Sequence, residues 1–234
     1  MDILTQAFHY LVVIFKDLPG FLTEATQAMG PWVYVLLFAI IFAETGLIVT
    51  PFLPGDSLLF AVGALTAIEG GLDYWIVAIS LIVAAIIGDA VNYSVGRYLG
   101  PKLFRNPNSK FLNPDHLQRT QNFYVKHGGK TIVLARFLPI IRTYAPFVAG
   151  LGQMSYSKFA MYNVIGALVW IMSFLTAGHF FGNLPAVKKN FQYVILAIIV
   201  VSALPAVIEF WRARTEGKKS GNGVASDVSG STRS

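Results

Sequence analysis

The sequence predicts an all-α integral membrane protein, with spanning helices plus two broken re-entrant hairpins in a pseudo-symmetric, inverted arrangement. Three observations carry that prediction. Of the 234 residues, 55% are hydrophobic and only 13% are charged, where a soluble domain carries about 25% charged residues; mean hydropathy is +0.58. Two apolar stretches are interrupted by prolines and charges. The basic residues cluster beside hydrophobic segments, the pattern of loops on the cytoplasmic side of a membrane. Residues 1–214 read as one polytopic membrane domain and 215–234 as a disordered cytoplasmic tail.

Taken in order, Ile3–Phe15 is apolar apart from Gln6 and His9, either a first span or an interfacial helix. It has no Ala-x-Ala cleavage pattern, so it reads as retained. Residues 31–68 form the first hairpin. Trp32–Thr50 is apolar apart from Glu44, and Pro51-Phe52-Leu53-Pro54-Gly55-Asp56 then breaks any helix. The following apolar run, Ser57–Ile68, falls short of the roughly 20 residues that cross a bilayer.

Residues 74–96 are a full span, with Asp89 and Asn92 on one face. The loop 97–130 holds seven Lys/Arg against Asp115 alone, which places it in the cytoplasm; Asn113-Pro114-Asp115 signals a short helix within it. The second hairpin, 130–152, carries Arg136, Pro139, Arg142 and Pro146 within an apolar stretch. An arginine at the bilayer centre costs about 2.5–3.5 kcal/mol on the lenient insertion scale, and each proline removes a backbone donor. Such a segment belongs in protein or a wet cavity, not against lipid. Two more spans follow, 159–181 and 191–211.

The charge pattern supports a hairpin at 130–152. The tail from Arg212 carries five Lys/Arg against Glu216 and Asp227, so loop and tail share the cytoplasmic side and an even number of crossings separates them. The two spans supply that number only if 130–152 dips in and returns. Lys188-Lys189 is the one discordant feature.

The halves also resemble each other. Phe52-Leu53-Pro54 recurs as Phe137-Leu138-Pro139, FAVGAL (60–65) as FVAGLG (147–152), and IIGDAVNYSVGRYLG (86–100) resembles VIGALVWIMSFLTAGHFFG (164–182). Inverted repeats with discontinuous helices are the architecture of secondary transporters.

Glu44, Asp56 and Asp89 are acids in apolar surroundings, and Arg136 and Arg142 are the bases. Buried ion pairs seldom stabilise a fold more than apolar residues of the same volume, so five such charges point to a task beyond cohesion. Burial and nearby arginines act in opposite senses on a carboxylate's hold on its proton, which makes Glu44 and Asp56 candidate proton carriers. Arginine pairs bidentately with phosphate and stays charged, so Arg136 and Arg142 are candidate ligands for a lipid phosphate. Asp89, Asn92, Pro54, Gly55 and Pro139 are supporting residues, Asp89 and Asn92 by hydrogen bonding to a hairpin. Gly96/Gly100 and Gly178/Gly182 have the Gly-x-x-x-Gly spacing of close helix packing. His116 and His127 lack ligand spacing and there are no cysteines, so neither metal nor cofactor is expected, and the positive net charge is not read as nucleic-acid binding.

The run FAETGLIVTPFLPGDSLLF (42–60) resembles the DedA family of bacterial inner-membrane proteins, as do GDAVNY (88–93), KHGGK (126–130) and ARFLPIIRTYAPFVAG (135–150). The resemblance covers nearly the whole chain except the tail. It implies a lipid-transporter fold shared with eukaryotic lipid scramblases, with two re-entrant hairpins facing each other in the inner membrane. Family members are implicated in returning undecaprenyl phosphate to the cytoplasmic face, and others in phosphatidylethanolamine movement, maintenance of membrane potential and resistance to cationic peptides. The family's essential acids fall on Glu44 and Asp56 and its essential arginines on Arg136 and Arg142.

The expectation is a proton-coupled flippase for a phosphate-bearing lipid, with undecaprenyl phosphate the favoured cargo and membrane lipid and protons the partners. A phosphatidylethanolamine flippase or scramblase, and a proton-coupled antiporter, are the alternatives. An intramembrane lipid phosphatase would need a nucleophile with an orienting base; no His lies among the apolar-segment charges, so no enzyme is expected. An assembly role would draw on the tail.

Overall fold

The computed structural model describes residues 18–47, 55–103 and 129–191, with 193, 194, 196–198 and 200 beyond them. The segment Ile3–Phe15, Pro54 and the rest of the first break, most of the basic loop, the second half of 191–211 and the tail lie outside the described residues.

Every described regular element is a helix. In chain order these are α1 (Leu18–Met29), α2 (Trp32–Gly46), α3 (Gly55–Leu65), α4 (Tyr74–Leu103), α5 (Lys130–Ala135), α6 (Pro139–Leu151), α7 (Tyr156–Phe181) and α8 (Pro185–Lys189). The sequence reading gave α1 no element of its own. It ends where Gly30 turns to φ +53, a conformation that favours glycine, and α2 begins two residues later.

Among the described residues two helices are long and apolar enough to cross a membrane, Tyr74–Leu99 within α4 and Tyr156–Phe181, each 26 residues. At about 1.5 Å per residue these exceed the roughly 30 Å of hydrocarbon. The apolar helices α2 and α3, of 15 and 11 residues, fall short of it. The outward stripe of α4 is Ile76, Ile79, Val83, Ile87 and Val91, all exposed, at helical spacing. Contiguous apolar surface of this kind suits a lipid solvent.

Two boundaries differ from the sequence reading. The helix that contains 74–96 runs on through Arg97 to Leu103. Within that extension the Arg97 guanidinium reaches back one turn to the Tyr93 hydroxyl, 2.9 Å away. The later span begins at Tyr156 rather than 159, its N-cap carbonyl on Ser155 accepting from the Phe159 amide.

The long helices α4 and α7 touch each other, and each packs against two shorter ones. α4 holds α2 and α6; α7 holds α3 and α5. α3 is buried at all eleven positions, between α7 and α1. Glycines set the closest crossings. A Cβ at Gly63 would strike the Leu175 carbonyl and one at Gly178 the Phe60 carbonyl, while one at Gly150 would strike the Tyr93 carbonyl and one at Gly96 the Phe147 carbonyl. The α3–α7 and α4–α6 crossings are thus built from backbone on backbone, in line with the packing role expected of Gly96 and Gly178. Tyr93 closes the second crossing, stacked on Phe159 at 4.3 Å between ring centroids and donating its hydroxyl to the Met154 carbonyl.

Candidate functional site

Five charged side chains are buried among the described residues, and they are the five the sequence singled out: Glu44, Asp56, Asp89, Arg136 and Arg142, each 5% exposed or less. The structure divides them into two clusters.

The first gathers on Arg142. Its Nη1 donates to Asp56 Oδ1 at 2.7 Å and its Nη2 to Glu44 Oε1. Helix ends explain the composition. Arg142 lies in the first turn of α6, whose helix opens at Pro139 with a φ suited to that position. Unpaired N–H groups make a helix N-terminus positive, so a cation there needs strong anionic partners. Asp56, in the first turn of α3, is an acid at the same kind of end, where it is favoured. Glu44 is the reverse, an acid in the last turn of α2, and the start of α3 compensates: the Gly55 amide donates to Glu44 Oε1 at 3.1 Å. A Cβ at Gly55 would collide with that carboxylate, so the predicted supporting glycine acts by leaving room for the contact.

The second cluster gathers on Arg136, which caps the C-terminus of α5, an end that favours a cation. Its Nη2 donates to Asp89 Oδ2 on α4, at 2.5 Å, and to Asn163 Oδ1 on α7. Asn163 Nδ2 donates to the Ile86 carbonyl at 3.0 Å, so the amide oxygen is the atom left for Arg136. Gly166 makes space for the arginine stem, since a Cβ there would lie 2.9 Å from Arg136 Cδ.

Asn92 and Trp170 connect the parts. Asn92 Nδ2 donates to the Thr45 carbonyl at 3.2 Å and to the Thr143 carbonyl at 2.6 Å. These residues follow Glu44 and Arg142, so one amide registers the backbone of the acid against that of the base. Trp170 Nε1 donates to Asp56 Oδ1 at 2.9 Å, and both guanidinium groups lie over its ring, Arg142 at 5.2 Å and Arg136 at 5.9 Å from the centroid.

The five buried charges are those the sequence singled out, and Asn92 joins α2 to α6 through the Thr45 and Thr143 carbonyls. Sequence reasoning did not find Asn163, Gly166 or Trp170. Their spacing, with buried Asn163, Gly166, Ala167 and Trp170 at i, i+3, i+4 and i+7 on α7, was the available signal: one helix face of small and polar residues in an otherwise apolar helix. His179 lies apart from the clusters, its Nδ1 2.8 Å from Thr66 Oγ1.

A helical membrane protein whose interrupted helices bring buried arginines and carboxylates together between two membrane-length helices is the class this arrangement defines. Within it, the chain belongs to the DedA family, and the VTT domain matches residues 53–180. It is 55% identical over 205 residues to Protein DedA of Escherichia coli, an alignment covering 87% of this chain and 94% of that one. It is also 45% identical over 172 residues to a Mycobacterium leprae protein described as an uncharacterized membrane protein, covering 74% of this chain and 77% of the other. Inner membrane protein YqjA of Escherichia coli is 33% identical over 208 residues, covering 89% and 90%. No solved structure matches.

Proposed function

We propose that this protein moves a phosphate-bearing lipid, undecaprenyl phosphate in the first instance, across the bacterial inner membrane in exchange for protons. The observation that carries the reading is the Arg142 cluster, a buried guanidinium held by two carboxylates that each come from the first interrupted segment. Arginine's planar fork suits a phosphate monoester as well as a carboxylate, so lipid phosphate and carboxylate compete for the same donors. Arg136 and Arg142 bind the phosphate. Glu44 and Asp56 hold Arg142 when no lipid is present and give it up on protonation, while Asp89 and Asn163 hold Arg136. The described residues bury three carboxylates against two guanidinium groups, and one proton balances that set.

In this reading α2–α3 and α5–α6 are two re-entrant hairpins entering from opposite faces, related by an inverted repeat. The matched glycine contacts support it. Gly63 on the Leu175 carbonyl and Gly178 on that of Phe60 correspond to Gly150 on Tyr93 and Gly96 on Phe147, and each set pairs a short helix of one half with the long helix of the other. The basic residues of 97–130 and of the tail then lie in the cytoplasm. The protein works without metal or cofactor, as a transporter rather than an enzyme.

The test is leaflet exchange in proteoliposomes, following undecaprenyl phosphate against phosphatidylethanolamine, with and without an imposed pH gradient. Wild type should move the polyprenyl phosphate and respond to the gradient. Arg142→Ala should move none, and Glu44→Gln should lose the response. Equal, gradient-independent movement of both lipids would make the protein a scramblase, and no movement of either would leave the antiporter reading.

A further inference from the structure

Trp170 is in contact with both clusters, and it belongs to neither ion pair. It is fully buried, lies under both guanidinium groups and donates its indole N–H to the Asp56 oxygen that also receives Arg142. A buried indole needs a single acceptor for its N–H; a neutral core acceptor would serve, yet the acceptor here is a carboxylate of the site. Asn163, two turns earlier on the same face of α7, holds Arg136 from the same side. In the aligned halves Trp170 falls where Asn92 does, four residues after Gly166 and Gly88 respectively. Asn92 likewise bridges two interrupted helices.

We infer that Trp170 is the positioning residue that couples the two clusters, holding Asp56 in place while its ring supports whichever arginine has lost its carboxylate. The inference rests on the transport reading above and deepens it. An arginine leaving an acid for a lipid phosphate passes through an arrangement with less anionic contact, and the face of an aromatic ring offers attraction to a cation without competing as an anion. Because both guanidinium groups share one ring, displacement of one alters the field at the other. The indole N–H keeps Asp56 from following Arg142. Ring and N–H are separable. Trp170→Phe keeps a ring and loses the N–H, whereas Trp170→Leu loses both.

The experiment has two arms. In proteoliposomes, Trp170→Phe should keep transport of undecaprenyl phosphate within about threefold of wild type and Trp170→Leu should lose about tenfold or more, the scale of a desolvated cation–π contact. The loss should fall mainly on the maximal rate rather than on the lipid concentration for half-saturation. In detergent, a protein with Trp170 as its sole tryptophan is made by changing Trp32, Trp75 and Trp211 to Phe, the first two being well exposed. Its emission should shift on Arg136→Gln and on Arg142→Gln, each separately, and should shift saturably with dodecyl phosphate. Emission indifferent to either arginine variant, or equal transport by the Phe and Leu variants, would overturn the inference. If wild type moves no lipid, the transport reading fails and the emission arm still decides whether Trp170 joins the clusters.

Discussion

The two arginines solve the same problem in different ways. Arg142 opens a helix, faces its positive end and is held by two carboxylates, Glu44 and Asp56. Arg136 closes a helix, faces the negative end and is held by one carboxylate, Asp89, and one neutral amide, Asn163. Counted by formal charge, the first cluster is one negative charge in excess and the second is balanced. The lesson is that helix polarity sets how many acids a buried arginine needs. In the function proposed above, the overcharged cluster is the one that takes up a proton.

The largest effect should come from deleting the base of the overcharged cluster. Arg142→Ala leaves two carboxylates buried without their cation, a change of the kind that costs about 3–5 kcal/mol; denaturant unfolding of the purified protein in detergent would show it. A wild-type midpoint in that variant would mean the pairing contributes nothing to the fold. Next is Asp89→Asn, which leaves Arg136 with neutral partners only and should cost about 2–3 kcal/mol by the same measurement.

The glycine crossings test whether the two halves are equivalent outside the charges. Gly178→Ala and Gly96→Ala each push a Cβ onto a facing carbonyl, and each should destabilise by about 1–3 kcal/mol, the cost of overpacking. Similar losses would mark the crossings as counterparts, and a large inequality would separate them.

The smallest effect on stability should be Glu44→Gln, within about 1 kcal/mol of wild type. Glu44 Oε1 is the atom that accepts from Gly55 and Arg142, and the amide oxygen of Gln serves there as well. Oε2 accepts no hydrogen bond among the described residues, so an amide nitrogen in its place removes none. The substitution also brings the cluster to charge balance. Set beside Asp89→Asn, it makes the contrast sharp: one acid-to-amide change is tolerated and the other is not. If both lower the unfolding midpoint alike, the excess of charge is not what distinguishes the clusters.

Much of this was written locally in the chain. Hydropathy, the proline and glycine breaks and the positions of the five charges are properties of short windows, because span length and helix termination depend on neighbours in sequence. The sequence therefore determined by itself a helical membrane protein, two interrupted stretches and the membership of the charged set. The partners were decided only by tertiary structure. Arg142 reaches 98 residues back to Glu44 and 86 to Asp56, Arg136 reaches 47 back to Asp89, and Trp170 reaches 114 to Asp56. Any acid could have met either base until the faces of α4 and α7 were fixed. That choice rests on how closely backbones approach at Gly63, Gly96, Gly150 and Gly178, a steric fact that exists only once the helices are packed.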